Sequence, residues 1–201
     1  MTRRLPIFVE RAVGDWVATR AHVAVKFEEG FRKDHGVTCK EGCNNCCYYP
    51  VLITIIEGIS LFRLLAGRGR LTAAMRTRLQ EHGDLTLFMD PAVWMRANIP
   101  CPLLEGGKCS GYESRPLSCR VTFSSWDAED CHPQAFNPSN MAAIHDISRV
   151  TVEYERRLMR AGGISRIRLP VGKAILMAER ILTGELAPDE IEKATLTEYP
   201  R

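Results

Sequence analysis

Apolar residues along most of this chain recur at helical spacing, and two stretches lose that period altogether. In residues 6–35, Val9, Val13, Trp16, Ala24, Phe27 and Phe31 return at steps of three, four or their multiples, one face of a long helix. Pro6 suits its first turn and Gly36 its C-terminal cap. Thr54-Ile55-Ile56-Glu57 has the capping-box form, a hydroxyl reaching the third amide and a carboxylate reaching back. A helix is predicted from there to about Ala66, ended by Gly67 and Gly69, and Thr72 caps another through Met75, Leu79 and His82. Asn137-Pro138 opens a helix whose face carries Met141, Ile144, Ile147, Thr151, Tyr154 and Leu158 up to Gly162-Gly163. A further helix covers about 170–182 with Ile175, Ala178, Ile181 and Leu182 inward, and Pro188-Asp189 starts a last short one.

The two exceptions are short of any period. Residues 36–47 form a loop leaving the first helix, followed by a short extended segment in "YYPVLI". In residues 98–137, Pro100, Pro102, Gly106, Gly107, Gly111, Pro116 and Pro133 interrupt every window. A loop beyond about 15 residues is uncommon in a compact domain unless it is functional or tied down. The stretch "DLTLFMDPAVWMRANIP" fits neither period. The predicted fold is mainly α, with helices around an irregular cysteine-rich metal-binding core and few or no strands. We expect one domain over 1–201, its cysteine-cluster core at 36–132, with an N-terminal helix at 6–35 and C-terminal helices at 137–195 packed on it.

All eight cysteines fall in the two irregular stretches: Cys39, Cys43, Cys46 and Cys47 in the first, Cys101, Cys109, Cys119 and Cys131 in the second. Composition decides how they are read. The 201 residues, 45% of them hydrophobic, suffice for a core without disulfide staples. The basic start "MTRRLPIFVERAVGDW" has its apolar run broken by Glu10 and Arg11, and "PVLITIIEGISLFRLLAG" carries Glu57 and Arg63, so neither an export signal nor a membrane span is expected. The expectation is a cytoplasmic protein, and a reducing cytosol favours metal binding over a disulfide framework. A net charge of +3 is too mild to demand nucleic acid or an acidic membrane. The arginines at 63, 68, 70, 76 and 78 are clustered, yet few aromatics accompany them for stacking on bases, and nucleic acid is not expected as a partner.

The plainest physical account is that the two cysteine groups meet around metal. Thiolates hold zinc or iron–sulfur clusters, and such bonds stabilise a loop that has no core of its own. In Cys39-x3-Cys43-x2-Cys46 the gaps let a loop curl three sulfurs around one centre. Cys47 follows directly, and neighbouring side chains diverge if that backbone is extended, so Cys46 and Cys47 are expected to serve different centres or different metals of one cluster. Three close cysteines completed by a remote Cys-Pro, here Cys101-Pro102, is also a bacterial ferredoxin pattern, and it tips the expected cofactor towards iron–sulfur. Division of eight cysteines between two tetrahedral zinc sites fits the arithmetic equally. Arg115 and Arg120 are the cations placed to offset thiolate charge; Lys40 and Lys108 read as ordinary solvated charges. His132, Asp127 and Asp130 are the lesser ligand candidates, and His22, His35, His82 and His145 read as ordinary helical residues.

Together, "CKEGCNNCC" and "CPLLEGGKCSGYESRPLSCR" resemble the CxxCxxCC, or YkgJ-like, cysteine-cluster family of zinc- or iron-chelating domains. Cys101-Pro102-Leu103, Cys109, Tyr112, Arg115-Pro116 and Cys119-Arg120 follow that family's C-P-x-L and C-x-x-Y-x-x-R-P-x-x-C-R pattern without a break. The chain departs from it in two places. Three residues separate Cys39 from Cys43 where the family usually has two, and Val121-Thr122-Phe123-Ser124 stands where the family often has an aromatic-proline turn. The resemblance implies metal chelation by the cysteines, with Tyr112, Arg115 and Arg120 beside the cofactor, and covers roughly 36–132.

Two function classes follow besides the nucleic-acid reading already set aside. The leading one is a cytoplasmic metalloprotein holding an iron–sulfur cluster or zinc, with a redox, metal-handling or partner-support role and metal ions and a protein as its partners. The alternative is a metal-dependent protein-modifying enzyme of the lysine N-methylase type, a relative within the same family. It needs an open coordination position, and no Gly-rich nucleotide fingerprint accompanies it. The Cys-x3-Cys-x2-Cys spacing also occurs in radical S-adenosylmethionine enzymes, whose barrel needs strands that this chain does not signal.

Overall fold

Capping chemistry sets most of the helix boundaries in the computed structural model of the chain, which describes residues 5–23, 33, 37, 39–40, 42–120, 168–188 and 190–198. Helix α1 spans Ile7–Val23, its first amides at Val9 and Glu10 bonded to the Pro6 carbonyl, with Val9, Ala12, Val13 and Trp16 buried. Strand β1 is Leu52–Ile53. Helix α2 then runs Ile55–Gly67 from the predicted capping box: the Glu57 amide donates to Thr54 Oγ1 and the Thr54 amide to Glu57 Oε2 at 2.7 Å. Helix α3, Ala73–Thr86, is capped by Thr72, whose hydroxyl accepts from the Met75 amide at 3.2 Å.

The stretch that fitted neither period resolves into the end of α3 and a short helix α4, Pro91–Ala97. Asp90 caps it through the Ala92 and Val93 amides, Pro91 takes the first position, and Asn98 closes it in the left-handed region. Strands β2, Leu104–Glu105, and β3, Lys108–Cys109, form a hairpin, and the four-residue helix α5 is Leu117–Arg120. After β4, Leu169–Pro170, come α6, Val171–Thr183, and α7, Ile191–Glu198. Helix makes up 61% of the described structure and each strand has two residues, so the fold is mainly α as the sequence implies. Among the described residues no helix is long and apolar enough to cross a membrane. The expected helix from 137, the far part of the expected helix over 6–35 including Ala24, Phe27 and Phe31, and the loop beyond 120 lie outside the described residues.

The helices pack around α2 and α6. Helix α2 lies against α1 on one side and α6 on another, and α6 also packs on α3. Strand β1 pairs antiparallel with β4, Ile53 opposite Leu169, which brings the start of α6 beside the start of α2. Both close crossings use glycine. A Cβ on Gly58 would lie 2.6 Å from the Ala174 carbonyl oxygen, and one on Gly172 would overlap the Leu79 carbonyl oxygen. Buried among these helices are Ile55, Ile59, Leu61, Leu65, Met75, Leu79, Ile175 and Ala178. On the surface the clustered arginines are engaged with glutamates of other elements: Arg63 with Glu10, Arg68 with Glu113, Arg70 and Arg78 with Glu105, and Arg76 with Glu179. Such exposed pairs contribute up to about 1 kcal/mol each, so they orient elements more than they hold them.

Two stability measurements test this packing. Gly172→Ala should cost about 3 kcal/mol in denaturant unfolding, the upper end for overpacking, because backbone rather than a flexible side chain blocks the new methyl. Gly67→Ala, with nothing within 4 Å of the added carbon, should be neutral or slightly stabilising. His82 is buried edge-on to Trp94, ring centroids 5.3 Å apart, and burial pushes its pKa down to about 4 from 6.5. The unfolded chain binds a proton at His82 that the folded one does not, so this residue's contribution is complete above pH 6.5 and is lost as pH falls towards 4. Urea titrations at pH 7 and pH 4.5 should show His82→Leu losing on the order of 2 kcal/mol less stability across that interval than the parent chain.

Candidate metal centre

The first cysteine loop is shaped by local turns rather than by packing. The Cys43 amide donates to the Lys40 carbonyl at 3.0 Å, and Asn45–Tyr48 form a single 3-10 turn with Cys47 N–H bonded to Asn44 and Tyr49 N–H to Cys46. The backbone at Cys46 and Cys47 is therefore helical, not extended, which corrects the premise used to send their side chains apart. Their thiols lie side by side, hydrogen-bonded to each other.

The second segment is not irregular over its described part, a further correction. Gly106 and Gly107, with φ of 55° and 76°, supply the two left-handed residues of the β2–β3 hairpin, a conformation few side chains tolerate. The Tyr112–Ser114 turn follows, Arg115 stacks over the Tyr112 ring at 3.9 Å, and Pro116 leads into α5 with Cys119. Arg120 donates to the Glu113 carbonyl at 3.2 Å.

Two direct bonds tie the segments together. The Cys101 amide donates to the Cys47 carbonyl at 2.7 Å, and Asn44 Nδ2 reaches the Gly107 carbonyl at 3.4 Å. A third link runs through α2: Glu57 Oε1 accepts the Leu117 amide at 2.8 Å while Oε2 serves Thr54. Glu57 is fully buried, and desolvation raises its pKa against the pull of these donors and of Arg168. Sequence reading found its capping role and missed this bond. The signal for it was a carboxylate standing on the apolar face of "ITIIEGIS".

The structure brings Cys46, Cys47, Cys101, Cys109 and Cys119 into one electrostatic neighbourhood, since the charge of Cys46 is felt by each of the other four. The bond from Cys47 holds the Cys46 pKa down at about 7 against the effect of burial, helped by Arg115. That same bond pushes Cys47 up, followed by desolvation and the neighbouring thiolates. Burial pushes Cys101 up to about 12, and it raises Cys109 and Cys119 as well. Backbone amides oppose it: Leu103 N–H donates to the Cys101 sulfur and Gly111 N–H to that of Cys109. The Arg115 charge lowers Cys46, Cys109 and Cys119 alike.

Cys39 and Cys43 lie half-buried in the first loop. Cys131 and the lesser candidates Asp127, Asp130 and His132 lie outside the described residues. None of the described cysteines is in a disulfide. Among the described residues no three His, Cys, Asp or Glu side chains already stand close enough to hold a metal ion. The donor set nevertheless has the chemistry for zinc or an iron–sulfur centre: reduced thiols from two segments, amides directed at two sulfurs, and a guanidinium to balance their charge. In metal-free protein, iodoacetamide should alkylate Cys46 first, half-maximally near pH 7. Peptide mapping of Cys47→Ala across a pH series should show that midpoint moving up towards the ordinary thiol value, with Arg115→Gln moving it the same way by less.

Comparison with known proteins agrees with this chemistry. Residues 38–143 match the family model CxxCxxCC, described as a putative zinc- or iron-chelating domain. No curated protein and no solved structure matches the chain. The match takes in both cysteine loops, the hairpin and α5, and extends over more than half of the 201 residues. With its two cysteine loops gathered on a helical frame, the chain belongs to the CxxCxxCC family of zinc- or iron-chelating domains.

Proposed function

We propose that this protein uses its cysteine thiolates to hold an iron–sulfur cluster, or failing that zinc, and serves in the cytoplasm in electron transfer, metal handling or support of a protein partner. The observation that supports the reading is the electrostatic influence of Cys46 on the cysteines of the second loop, together with the 2.7 Å backbone bond between Cys101 and Cys47. Five thiols in one neighbourhood exceed what a single tetrahedral zinc takes, and adjacent Cys46 and Cys47 suit a centre with more than one metal. The remote Cys101-Pro102 that completes three close cysteines is what favours iron–sulfur over zinc.

The residues divide the work. Cys46, Cys47, Cys101, Cys109 and Cys119 are the ligands we favour, with Cys39 and Cys43 on the same loop and Cys131 as further donors. Ligation draws these sulfurs together and removes their protons, and the raised pKa values of Cys101, Cys109 and Cys119 make that removal easier at higher pH. Arg115 offsets the charge left on the thiolates, held in place by its stack on Tyr112, and Arg120 fastens α5 to the preceding turn. An iron–sulfur centre supplies one-electron chemistry, whereas zinc supplies only a fixed cross-link.

Anaerobic purification with iron, zinc and acid-labile sulfide analysis, alongside the visible spectrum, tests the reading. A brown protein with labile sulfide is the expected result, and a colourless one holding zinc moves the assignment to the zinc form. Cys101→Ser and Cys119→Ser should each retain less than half of the parental metal. Metal-free thiols after anaerobic reconstitution with iron and sulfide, or with zinc, would overturn it.

A further inference from the structure

A capping box occupies a single carboxylate oxygen, because the N-cap amide is the only donor that it must satisfy. Glu57 uses both. Its Oε2 takes the Thr54 amide at 2.7 Å and lies 3.0 Å from the Thr54 hydroxyl, and its Oε1 takes the Leu117 amide at 2.8 Å, sixty residues further along the chain. Thr54 follows β1 and the turn holding Cys46 and Cys47, and Leu117 opens the helix that carries Cys119.

Helix α5 has four residues, far too few to be stable by propensity, so its orientation has to be imposed from outside. Tertiary anchors at its start are the buried Leu117 side chain, in the core, and the bond to Glu57. An apolar side chain sets depth but not rotation. A directed hydrogen bond to the first amide of the helix sets rotation as well, and rotation decides where the Cys119 sulfur points. At the other end of the same circuit, the Cys101–Cys47 backbone bond fixes the spacing of the two loops. The circuit Cys47, Thr54, Glu57, Leu117, Cys119 therefore closes around the sulfurs through one carboxylate.

We propose that Glu57 is a positioning residue for the metal centre: through its bonds to Thr54 and Leu117 it holds Cys119 in register with Cys46, Cys47 and Cys101, and so sets how fast the centre exchanges metal, apart from its share in global stability. The inference rests on the metal-binding reading above and deepens it. It separates Glu57 from ordinary core residues, whose loss lowers stability without redirecting a ligand.

Cobalt(II) is a suitable probe, because thiolate-to-metal charge-transfer and d–d bands report both the number of sulfurs bound and their geometry. The full-length parent chain, Glu57→Gln, Glu57→Asp and the core variant Leu79→Ala are loaded anaerobically, and release into excess chelator is followed at a temperature set equally far below each variant's own unfolding midpoint. Glu57→Gln keeps the size of the side chain but turns one oxygen into an amide that repels a donor. It should release cobalt about tenfold faster or more, the range seen when a ligand's supporting partner is lost, with altered d–d bands. Glu57→Asp should fall between it and the parent, and carries the comparison if the glutamine variant does not fold. Leu79→Ala should release at the parental rate with parental bands. Parental release and bands in the Glu57 variants, or equal acceleration in Leu79→Ala, would overturn the inference while leaving metal binding standing. A parent chain that develops no thiolate–cobalt bands would overturn the metal-binding reading and this inference with it.

Discussion

One carboxylate buried away from water is the constraint on which the arrangement of this protein turns. Stripping solvent from Glu57 is costly, and the amides of Thr54 and Leu117, the Thr54 hydroxyl and the charge of Arg168 offset that cost. None of these groups alone would suffice for a fully buried acid. The need to satisfy it therefore forces three regions distant in sequence to one point: the start of α2, the start of α5 and the chain entering β4. The cysteine loops are carried in by the same requirement, because each is attached to a group that the carboxylate must keep.

The thiols present a second electrostatic problem, solved in a different way. Burial raises the pKa of Cys101, Cys109 and Cys119, the bond to Cys46 and then burial raise that of Cys47, and the neighbouring sulfurs add to both, so the thiolate state is disfavoured at most of these positions. Cys46 is the exception, relieved by its neighbour's hydrogen bond and by Arg115. The site thus pairs one thiol that gives up its proton near neutral pH, Cys46, with neighbours that keep theirs until a metal replaces them.

Much of the frame was legible because helix ends are written in local chemistry. Thr54 with Glu57, Thr72 before Met75, and Gly67 at the close of α2 act within one turn of themselves, and each stands where the pattern put it. The Asp90-Pro91 start of α4 carried an equally local signal that the surrounding apolar residues obscured. The hairpin was readable too, from two adjacent glycines between short runs, had they been weighed as a left-handed turn instead of as an interruption. What no local rule gives is the second bond of Glu57 or the Cys101 amide on the Cys47 carbonyl, since both join residues more than fifty positions apart. The adjacency of Cys46 and Cys47 was visible, but its meaning depended on a backbone conformation that the residue types leave open. The gathering of the cysteines was an expectation from their confinement to two stretches; in the structure the charge of Cys46 reaches Cys47 on its own loop and Cys101, Cys109 and Cys119 on the other.

The glycine crossings carry a mechanical consequence. Gly172 and Ala174 are two positions apart on α6, hence on nearly opposite sides of it, and each meets a different helix at backbone distance. A rod gripped on both sides so close to its end can neither slide nor roll without colliding with one of its neighbours. Helices α2, α3 and α6 thus behave as a fixed chassis, and whatever adjustment the sulfurs make on taking up an ion has to be absorbed by the turns at Asn45–Tyr48 and Tyr112–Ser114.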